Sequence, residues 1–306
     1  MRVLKVSVVM TTYNGEKYIL PQLESLLNQT RRADEVLIYD DGSSDRTIEI
    51  VNDFLDNKNL TNWRLIINKI NKGWRRNFFD GICEAEGDIV FPCDQDDVWF
   101  EKKIEIMENV MKDHNEIELL VSGFTTKLDN IGNKGKVDNS IKKISLTDNI
   151  FVIPYPGCTY CIRKTLIHKT RNYWRESFPH DAFFWRMALM TDGLYALNNR
   201  LMIWRIHETS SFAIEKSSNS SISKKKEWIS YAYETIDSLS NYIEKDSCQN
   251  VRKKRLVLEK NRNWLNLRSK LFTTKKIINW FLLIRYIKIY PQRKQYLYDL
   301  YYVLRK

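Results

Sequence analysis

Three aspartates within four residues form the chemically most suggestive group in this 306-residue sequence. Asp94, Asp96 and Asp97 follow the apolar run 89–91, which is typical of a buried strand. Carboxylates so close together repel one another unless a cation lies among them. Mg²⁺ and Mn²⁺ prefer oxygen ligands and usually keep part of their coordination shell for phosphate oxygens. The pattern therefore predicts a site for a divalent cation and a diphosphate. The alternative is a helix cap, since aspartate favours helix N-termini.

Two other polar clusters follow apolar runs in the same way. The run at residues 6–10 leads into the polar residues 11–15, and the run at 36–39 leads into residues 40–43. In an open parallel sheet, ligands bind outside the carboxyl ends of the strands. We therefore expect the three clusters to converge on one crevice.

The elements that must position these clusters can be predicted from the spacing of apolar residues. The first 125 residues alternate short strand-like runs with stripes that recur every three or four positions, as on a helix. This alternation is typical of βαβ units and predicts an α/β fold with a mostly parallel sheet flanked by helices. Beyond it, the sequence predicts a strand at 119–124, a loop at 126–149, a strand at 158–162, a helix at 181–190, and strands at 194–197 and 202–206.

The cysteines argue against a disulfide framework. There are five, an odd number, and they are dispersed behind an N terminus that lacks a basic and apolar leader. This pattern predicts a reducing, cytoplasmic setting. Cys158 and Cys161 form an isolated CxxC, but zinc would need a second ligand pair at a suitable spacing. We interpret both as small buried residues at a strand.

The net charge of +11 is unevenly distributed along the chain. Residues 1–215 carry 28 Lys and Arg against 31 Asp and Glu, a balance of −3, whereas residues 216–306 carry 21 against 7, a balance of +14. The basic part therefore suits an acidic partner, either nucleic acid or an anionic membrane surface. A Ser- and Asn-rich linker at 217–223 predicts a boundary between a domain at 1–216 and an extension at 217–306.

Four segments carry a resemblance to a known family. They read VSVVMTTYNGEKYI, VLIYDDGSSDRT, NKGWRRNF and GDIVFPCDQDDVW, in that order. In order and spacing they closely resemble the nucleotide-diphospho-sugar glycosyltransferases of family 2, which have the GT-A fold. The resemblance covers roughly residues 5–210. It is strongest to the bacterial rhamnosyltransferase-like branch that builds surface polysaccharides such as capsule, and it implies that residues 1–216 are the catalytic domain.

The resemblance implies nucleotide-binding roles for five residues. Thr11 and Tyr13 would cradle the nucleobase, with the tyrosine ring against it, and Asp40 would hydrogen-bond the base. Arg76, in the third segment, would also face the nucleotide, and Asp94 would face the ribose or the metal. The alternatives are a plain edge aromatic for Tyr13 and a solvated charge at a helix start for Arg76.

The same resemblance assigns the metal ligand and the base. Asp96 would bind the divalent ion, Mg²⁺ or Mn²⁺, that bridges the two phosphates. Inverting sugar transfer also needs a carboxylate that removes a proton from the acceptor hydroxyl. His180-Asp181 resembles the family's HD or ED element, so Asp181 is the predicted base and His180 a candidate to orient it. Capping of the helix by Asp181 is the alternative, and both roles are compatible.

A further segment, residues 204–210, resembles the YRxH element of the same branch. Arg205 or His207 could close over the diphosphate, because a fork of donors suits phosphate oxygens. Trp204 stands where the family usually has Tyr. The alternatives are a surface arginine and a packed histidine. The sequence lacks the QxxRW motif of polymerising members of the superfamily, which favours addition of a single sugar.

The basic extension interleaves aromatic residues with Lys and Arg clusters. Its apolar run at 277–284 is far shorter than the roughly 20 residues that a spanning helix needs. Trp and Phe beside Lys and Arg suit a helix that lies on anionic headgroups. A lipid-linked glycan acceptor would explain such contact, so we predict a cytoplasmic enzyme, peripheral at the inner face of the plasma membrane. The alternatives are a helical bundle packed on the catalytic domain and the pairing of two subunits in a homo-oligomer.

The leading hypothesis is thus a metal-dependent inverting glycosyltransferase, which uses a nucleotide-diphosphate sugar and a glycan or lipid-linked acceptor. A nucleotidyltransferase that makes activated sugars is disfavoured because residues 11–15 replace the glycine-rich basic loop expected there. A non-enzymatic binder of nucleic acid or membrane would leave the three polar strand ends unexplained, so nucleic acid is a disfavoured partner.

Overall fold

The computed structural model describes residues 3–126, 138–205, 222–246 and 248–304, and within these ranges nine strands form one sheet. The strands are β1 (Val6–Thr12), β2 (Glu35–Asp40), β3 (Trp63–Ile67), β4 (Ile89–Asp94), β5 (Val98–Trp99), β6 (Leu119–Thr125), β7 (Ile141–Lys143), β8 (Tyr160–Arg163) and β9 (Leu194–Ile203). Their spatial order is β3-β2-β1-β4-β8-β6-β9-β5, and β7 pairs with β9. The predicted α/β class is confirmed.

The parallel strands β1, β2 and β4 place the three polar clusters side by side. All seven residues of β1 are buried, as expected for a strand covered on both faces. β1 pairs in parallel with β2 and with β4, so that Thr12 lies opposite Asp40 and Thr11 lies opposite Asp94. The carboxyl ends of the three strands therefore meet at one edge of the sheet.

Two strand predictions needed correction. The strand predicted at 158–162 begins at Tyr160, because Gly157–Thr159 forms a 3-10 turn. The turn is closed by Thr159, whose N–H and Oγ1 donate to the carbonyl of Pro156 at 3.0 and 2.7 Å. The run at 194–197 and the start of the run at 202–206 do not form two strands. Both belong to the single strand β9, which ends at Ile203 and stays paired with β6 across two irregularities in register. Ile206 lies outside the described residues.

Within the described ranges six α-helices accompany the sheet, with bounds α1 (Ile19–Leu27), α2 (Thr47–Lys58), α3 (Trp74–Glu84), α4 (Lys103–Asp113), α5 (Lys164–Thr170) and α6 (His180–Met190). α6 differs from an amphipathic surface helix, because every residue except Asp181 is buried. A helix that is apolar all round must be covered on all sides. The elements that cover its outer side come from the basic extension.

In the described part of that extension there are four α-helices: α7 (Ile222–Lys245), α8 (Val251–Thr274), α9 (Ile277–Leu283) and α10 (Lys294–Leu304). α7 packs on α6, where Arg186 Nη1 donates to Tyr231 Oη of α7 at 2.7 Å. Trp264 and Phe272 of α8 are buried. The extension and the catalytic part share one apolar core. These two aromatic residues therefore stabilise the fold and are not available to a membrane.

Part of the basic excess is also internal. The buried carboxylate of Asp299 accepts hydrogen bonds from Arg268 Nε at 2.7 Å, Lys225 Nζ at 3.1 Å and Tyr290 Oη at 2.9 Å. The buried Lys254 Nζ donates to Asp192 at 2.6 Å. None of the helices in the described ranges combines the length and hydropathy that crossing a bilayer requires. The predicted linker at 217–223 falls almost wholly outside those ranges, and the domain boundary there stays a prediction.

Candidate active site

The acidic residues after β4 gather against the Gly157–Thr159 turn. Potential ligand atoms of Asp94, Asp97 and Cys158 all lie within 4.8 Å of one another. Asp97 is completely buried, and its Oδ2 atom has no hydrogen-bond partner among the described residues. An unpaired buried carboxylate oxygen is costly unless a cation or a donor satisfies it. This cluster is therefore a place where a bound ion would be stabilised.

The electrostatics of the cluster lead to the same conclusion. Desolvation, then the charges of Asp97 and Asp96, raise the pKa of Asp94 well above its usual value. Desolvation and Asp96 likewise raise the pKa of Asp97 to about 7. A divalent cation would remove this repulsion, and carboxylate oxygens are the ligands that Mg²⁺ and Mn²⁺ prefer. Burial and the two carboxylates keep Cys158 as a thiol by raising its pKa, so it is a poor ligand for such hard ions.

Lys103 is a buried residue beside the acidic cluster. The sequence patterns did not identify it as a site residue. The side chain is completely buried, with Nζ 2.5 Å from the carbonyl oxygen of Cys158 and 3.6 Å from the ring centroid of Trp99. Burial lowers the pKa of this lysine to about 8. A signal was present, because Lys103 precedes Met107 by four residues and so continues the apolar stripe of α4.

The first polar cluster is tied to the acidic residues through Gln95. Gln95 accepts from the N–H of Tyr13 at 3.0 Å and donates to its carbonyl at 3.1 Å. The Tyr13 ring stays 49% exposed, whereas Thr11 is buried on β1. A Cβ at Gly15 would lie 2.1 Å from Gln95 Oε1, so a side chain at that position would require Gln95 to move away from Tyr13. Tyr13 is thus available at the edge of the sheet where a planar base could lie against it.

Asp40 is completely buried and shapes the turn after β2. Its two carboxylate oxygens accept from the N–H groups of Gly42 and Ser43 at 3.0 and 2.7 Å, and from Thr12 Oγ1 at 2.7 Å. The adjacent Asp41 accepts from the N–H of Gly73 at 2.8 Å. The two aspartates therefore connect β1, β2 and the loop before α3. The predicted contact of Asp40 with a nucleobase stays a prediction.

Arg76 forms ion pairs on the surface of α3. Its Nε lies 2.8 Å from Asp80 Oδ1, and its Nη1 lies 3.0 Å from Glu176 Oε1. The guanidinium also lies over the ring of Trp174, 5.6 Å from its centroid. These contacts connect α3 to the segment before α6. The role of Arg76 towards a nucleotide stays a prediction.

Arg205 holds the acidic residues in place. Its N–H donates to Asp97 Oδ1 at 3.2 Å, and Nη2 donates to the carbonyls of Asp97 at 3.2 Å and Tyr18 at 3.0 Å. Nε donates to the carbonyl of Asp96. The guanidinium thus fixes the backbone of the loop after β4. His207, the other diphosphate candidate, lies outside the residues that the structure describes.

Asp181 approaches the acidic cluster from the first turn of α6. Its Oδ1 accepts from the N–H of Ala182 at 2.6 Å, and its charge is among those that raise the pKa of Asp94. The Gly157–Thr159 turn lies between the two groups. A Cβ on Gly157 would lie 3.0 Å from the Cβ of Asp181, while the next residue, Cys158, contacts the cluster. The structure therefore brings the predicted base and the predicted cation site to one place.

His180 is buried beside Asp181 and stacks on Phe78, with ring centroids 4.0 Å apart. Burial lowers the pKa of this histidine to about 4, against the opposing influence of Asp181. The ring is therefore neutral at pH 7. Neither ring nitrogen has a hydrogen-bond partner among the described residues. His180 supports Asp181 through packing, and we see no hydrogen bond by which it would orient the carboxylate.

Comparison with known proteins identifies the family of this chain. A sequence model of Glycosyl transferase family 2 matches residues 7–178, more than half of the chain. The dTDP-rhamnosyl transferase RfbG of Shigella flexneri is 30% identical over 218 residues, which cover 65% of this chain and 72% of that protein. The UDP-Glc:alpha-D-GlcNAc-diphosphoundecaprenol beta-1,3-glucosyltransferase WfgD of Escherichia coli is 27% identical, covering 63% of this chain and 73% of that protein.

The fold has a counterpart among solved structures. Staphylococcus aureus TarS 1-349 in complex with UDP-GlcNAc superimposes with a TM-score of 0.63 at 21% identity, and the match covers 98% of this chain and 81% of that chain. That likeness shows that the chain has the GT-A fold. Together with the matched family and the relatives, it confirms the resemblance found in the four segments. The chain belongs to glycosyl transferase family 2 and is a glycosyltransferase.

Proposed function

We propose that the protein transfers a single sugar, with inversion, from a nucleotide-diphosphate donor to a glycan or lipid-linked acceptor in bacterial polysaccharide synthesis. The observation that carries the proposal is the meeting of Asp181 with the Asp94–Asp97 cluster at the Gly157–Thr159 turn. Two relatives that act, by name, on dTDP- and UDP-linked sugars support the donor class.

The donor would bind along the carboxyl ends of β1, β2 and β4. The exposed ring of Tyr13 offers a flat surface for the nucleobase, and Thr11 is buried at the end of β1, two residues before it. Asp40 would hydrogen-bond the nucleobase from the end of β2, and Arg76 would face the nucleotide from the start of α3. Asp94, at the end of β4, would face the ribose.

Asp96 would hold a Mg²⁺ or Mn²⁺ ion at the diphosphate, together with Asp94 and the Oδ2 atom of Asp97, which is unpaired among the described residues. When bound, such an ion stabilises the negative charge that develops on the leaving nucleoside diphosphate. Asp97 and Arg205 keep the loop in position, because Asp97 is buried and Arg205 binds its carboxylate and backbone. Lys103 adds a buried positive charge below the loop. The diphosphate role that the sequence suggested for Arg205 would require it to leave these partners.

Asp181 would act as the base. As the acceptor hydroxyl oxygen forms its bond to the anomeric carbon, the bond from that carbon to the diphosphate oxygen breaks. The hydroxyl proton passes to a carboxylate oxygen of Asp181. Its Oδ1 is oriented by the N–H of Ala182, which leaves Oδ2 for the acceptor.

A donor panel tests the proposal. We expect release of nucleoside diphosphate from one of dTDP-rhamnose, UDP-glucose or UDP-GlcNAc, with Mg²⁺ or Mn²⁺ and a lipid-diphosphate-linked glycan present. Rhamnose is the sugar we propose, because it appears in the name of RfbG. EDTA should abolish release and added metal should restore it. Release of pyrophosphate from a nucleoside triphosphate and a sugar 1-phosphate, without release of nucleoside diphosphate from any donor, would indicate a nucleotidyltransferase. Full activity in EDTA would contradict the metal.

A lipid-linked acceptor would bring the enzyme to a membrane. The relative WfgD acts, by name, on a sugar linked to diphosphoundecaprenol, a polyprenol lipid. We propose that this enzyme is cytoplasmic and peripheral at the inner face of the plasma membrane. The competing proposal is that the extension pairs two subunits.

Gly157→Ala is expected to lower the transfer rate about ten- to a hundredfold. The added methyl would lie 2.7 Å from His180 Nε2 and 3.0 Å from the Cβ of Asp181, so the carboxylate of Asp181 must shift. Small displacements of a reacting group cost rates of this order. Gly193→Ala is the matched control, because its Cβ would lie 2.7 Å from the side chain of Glu118, which the site does not use. Equal kcat values for both variants would contradict the assigned position of Asp181.

A further inference from the structure

The last two helices expose apolar side chains with the same spacing. On α9 and the residue after it, the positions i, i+1, i+4 and i+7 are 45–57% exposed. The corresponding positions on α10 are 52–64% exposed. We call these sets the α9 stripe, which consists of Ile277, Ile278, Phe281 and Ile284, and the α10 stripe, which consists of Leu297, Tyr298, Tyr301 and Leu304.

The opposite faces of the two helices already have partners. Leu283 of α9 is completely buried, and Trp280 stacks on Tyr296 of α10 with ring centroids 4.5 Å apart. Trp280 Nε1 also donates to the carbonyl of Tyr296 at 2.8 Å, and Asp299 lies in the buried ion network. These packing contacts of the extension are made by residues outside the two stripes. Exposed apolar sets of this kind mark surfaces that contact something else.

The charged residues around the stripes have one sign. Six basic residues lie between positions 275 and 304, and all six are exposed: Lys275, Lys276, Arg285, Lys288, Arg293 and Lys294. The single acid of this segment, Asp299, is completely buried against Arg268. Within this segment the surface therefore consists of apolar, polar and basic side chains without a carboxylate. An anionic partner with an apolar layer fits it.

We propose that the α9 and α10 stripes dock on an anionic lipid bilayer, with the apolar side chains among the acyl chains and the basic ones among the headgroups. Nucleic acid fits less well because it offers no layer for eight exposed apolar side chains. A second copy of the chain would bring the same positive charge to the contact. The proposal deepens the proposed function, since it names the surface by which the enzyme would reach a lipid-linked acceptor.

Vesicle flotation of the full chain tests the α9 stripe. The double variant Ile278→Ser/Phe281→Ser should lower the apparent affinity for vesicles containing phosphatidylglycerol at least tenfold. Leu256→Ser is the matched control, because Leu256 is 58% exposed on α8, outside both stripes. It should float like the unaltered chain. Tyr298→Ser/Tyr301→Ser tests the α10 stripe in the same way.

Charge reversal tests the headgroup contact. Lys275→Glu/Lys276→Glu should weaken binding and reduce its dependence on salt. Arg252→Glu/Lys253→Glu is the control, because it removes an equal charge from exposed positions of α8. Vesicles of phosphatidylcholine alone should bind the unaltered chain at least tenfold more weakly.

Three results would overturn the docking surface. Unchanged flotation of both stripe variants is the first, and equal binding to neutral vesicles is the second. The third is loss of a dimer, measured by sedimentation velocity, without any change in flotation. Donor turnover with a water-soluble acceptor separates this proposal from the proposed function, because the stripe variants should retain it. Intact flotation without nucleoside diphosphate release from any donor would refute the function alone.

Discussion

Asp181→Asn is expected to lower the rate of sugar transfer by about 10²–10⁴-fold, the usual contribution of a positioned general base. Asparagine preserves the size of the side chain and can still accept from the N–H of Ala182, so α6 should begin as before. It cannot take up the proton of the acceptor hydroxyl. The loss should therefore appear in kcat, while the affinity for the nucleotide product stays near its original value.

Glu49→Gln is the control for Asp181→Asn. Glu49 is also an acidic residue in the first turn of a helix, α2, and its partner is the exposed Arg46. This variant should transfer sugar at the unaltered rate. If Asp181→Asn retained more than a third of the original kcat, another group would have to act as the base.

Asp96→Asn is expected to reduce transfer about a hundredfold or more at moderate metal concentration, because a bound cation contributes several kcal/mol to the stabilisation of the leaving group. The variant also removes one of the charges that raise the pKa of Asp94 and Asp97. Because the ion loses an anionic ligand, and this outweighs the easier ionisation of Asp94 and Asp97, half-maximal activity should need a much higher Mn²⁺ concentration. A titration of activity against Mn²⁺ at saturating donor measures this shift.

Asp88→Asn is the matched control for Asp96→Asn. Asp88 lies next to the other end of β4 and accepts from the N–H of Lys5 at 2.9 Å, a bond that asparagine can keep. Its Mn²⁺ requirement should equal that of the unaltered chain. If the two variants had the same metal dependence, the cation would not be bound at Asp96.

Much of the catalytic half could be predicted from local sequence. Parallel strands that are buried on both faces read as continuous apolar runs, and polar residues at their ends belong to the ligand-binding edge whatever the rest of the fold. The apolar stripes predicted α1, α2 and α4 because helical spacing depends only on neighbouring residues. Asp94, Asp96 and Asp97 were identifiable for the same reason.

Contacts between distant residues were decided by the tertiary structure alone. Arg205 lies 108 positions from Asp97, and only the pairing of β5 with β9 brings them together. Gln95 binds Tyr13 across 82 positions, and Lys103 reaches Cys158 across 55. No periodicity encodes such contacts, because they depend on how the strands are ordered.

The basic extension shows the same division. The charge balance of +14 over residues 216–306 favoured an anionic partner, and the shortness of the apolar run at 277–284 argued against a bilayer-spanning helix. Only the packed helices decided which residues face inwards. Trp264 and Arg268 became buried, whereas Phe281 and Tyr301 stayed exposed. The amino-acid composition does not distinguish buried residues from exposed ones. Burial depends on the helices that pack against each face, and that arrangement exists only in the folded chain.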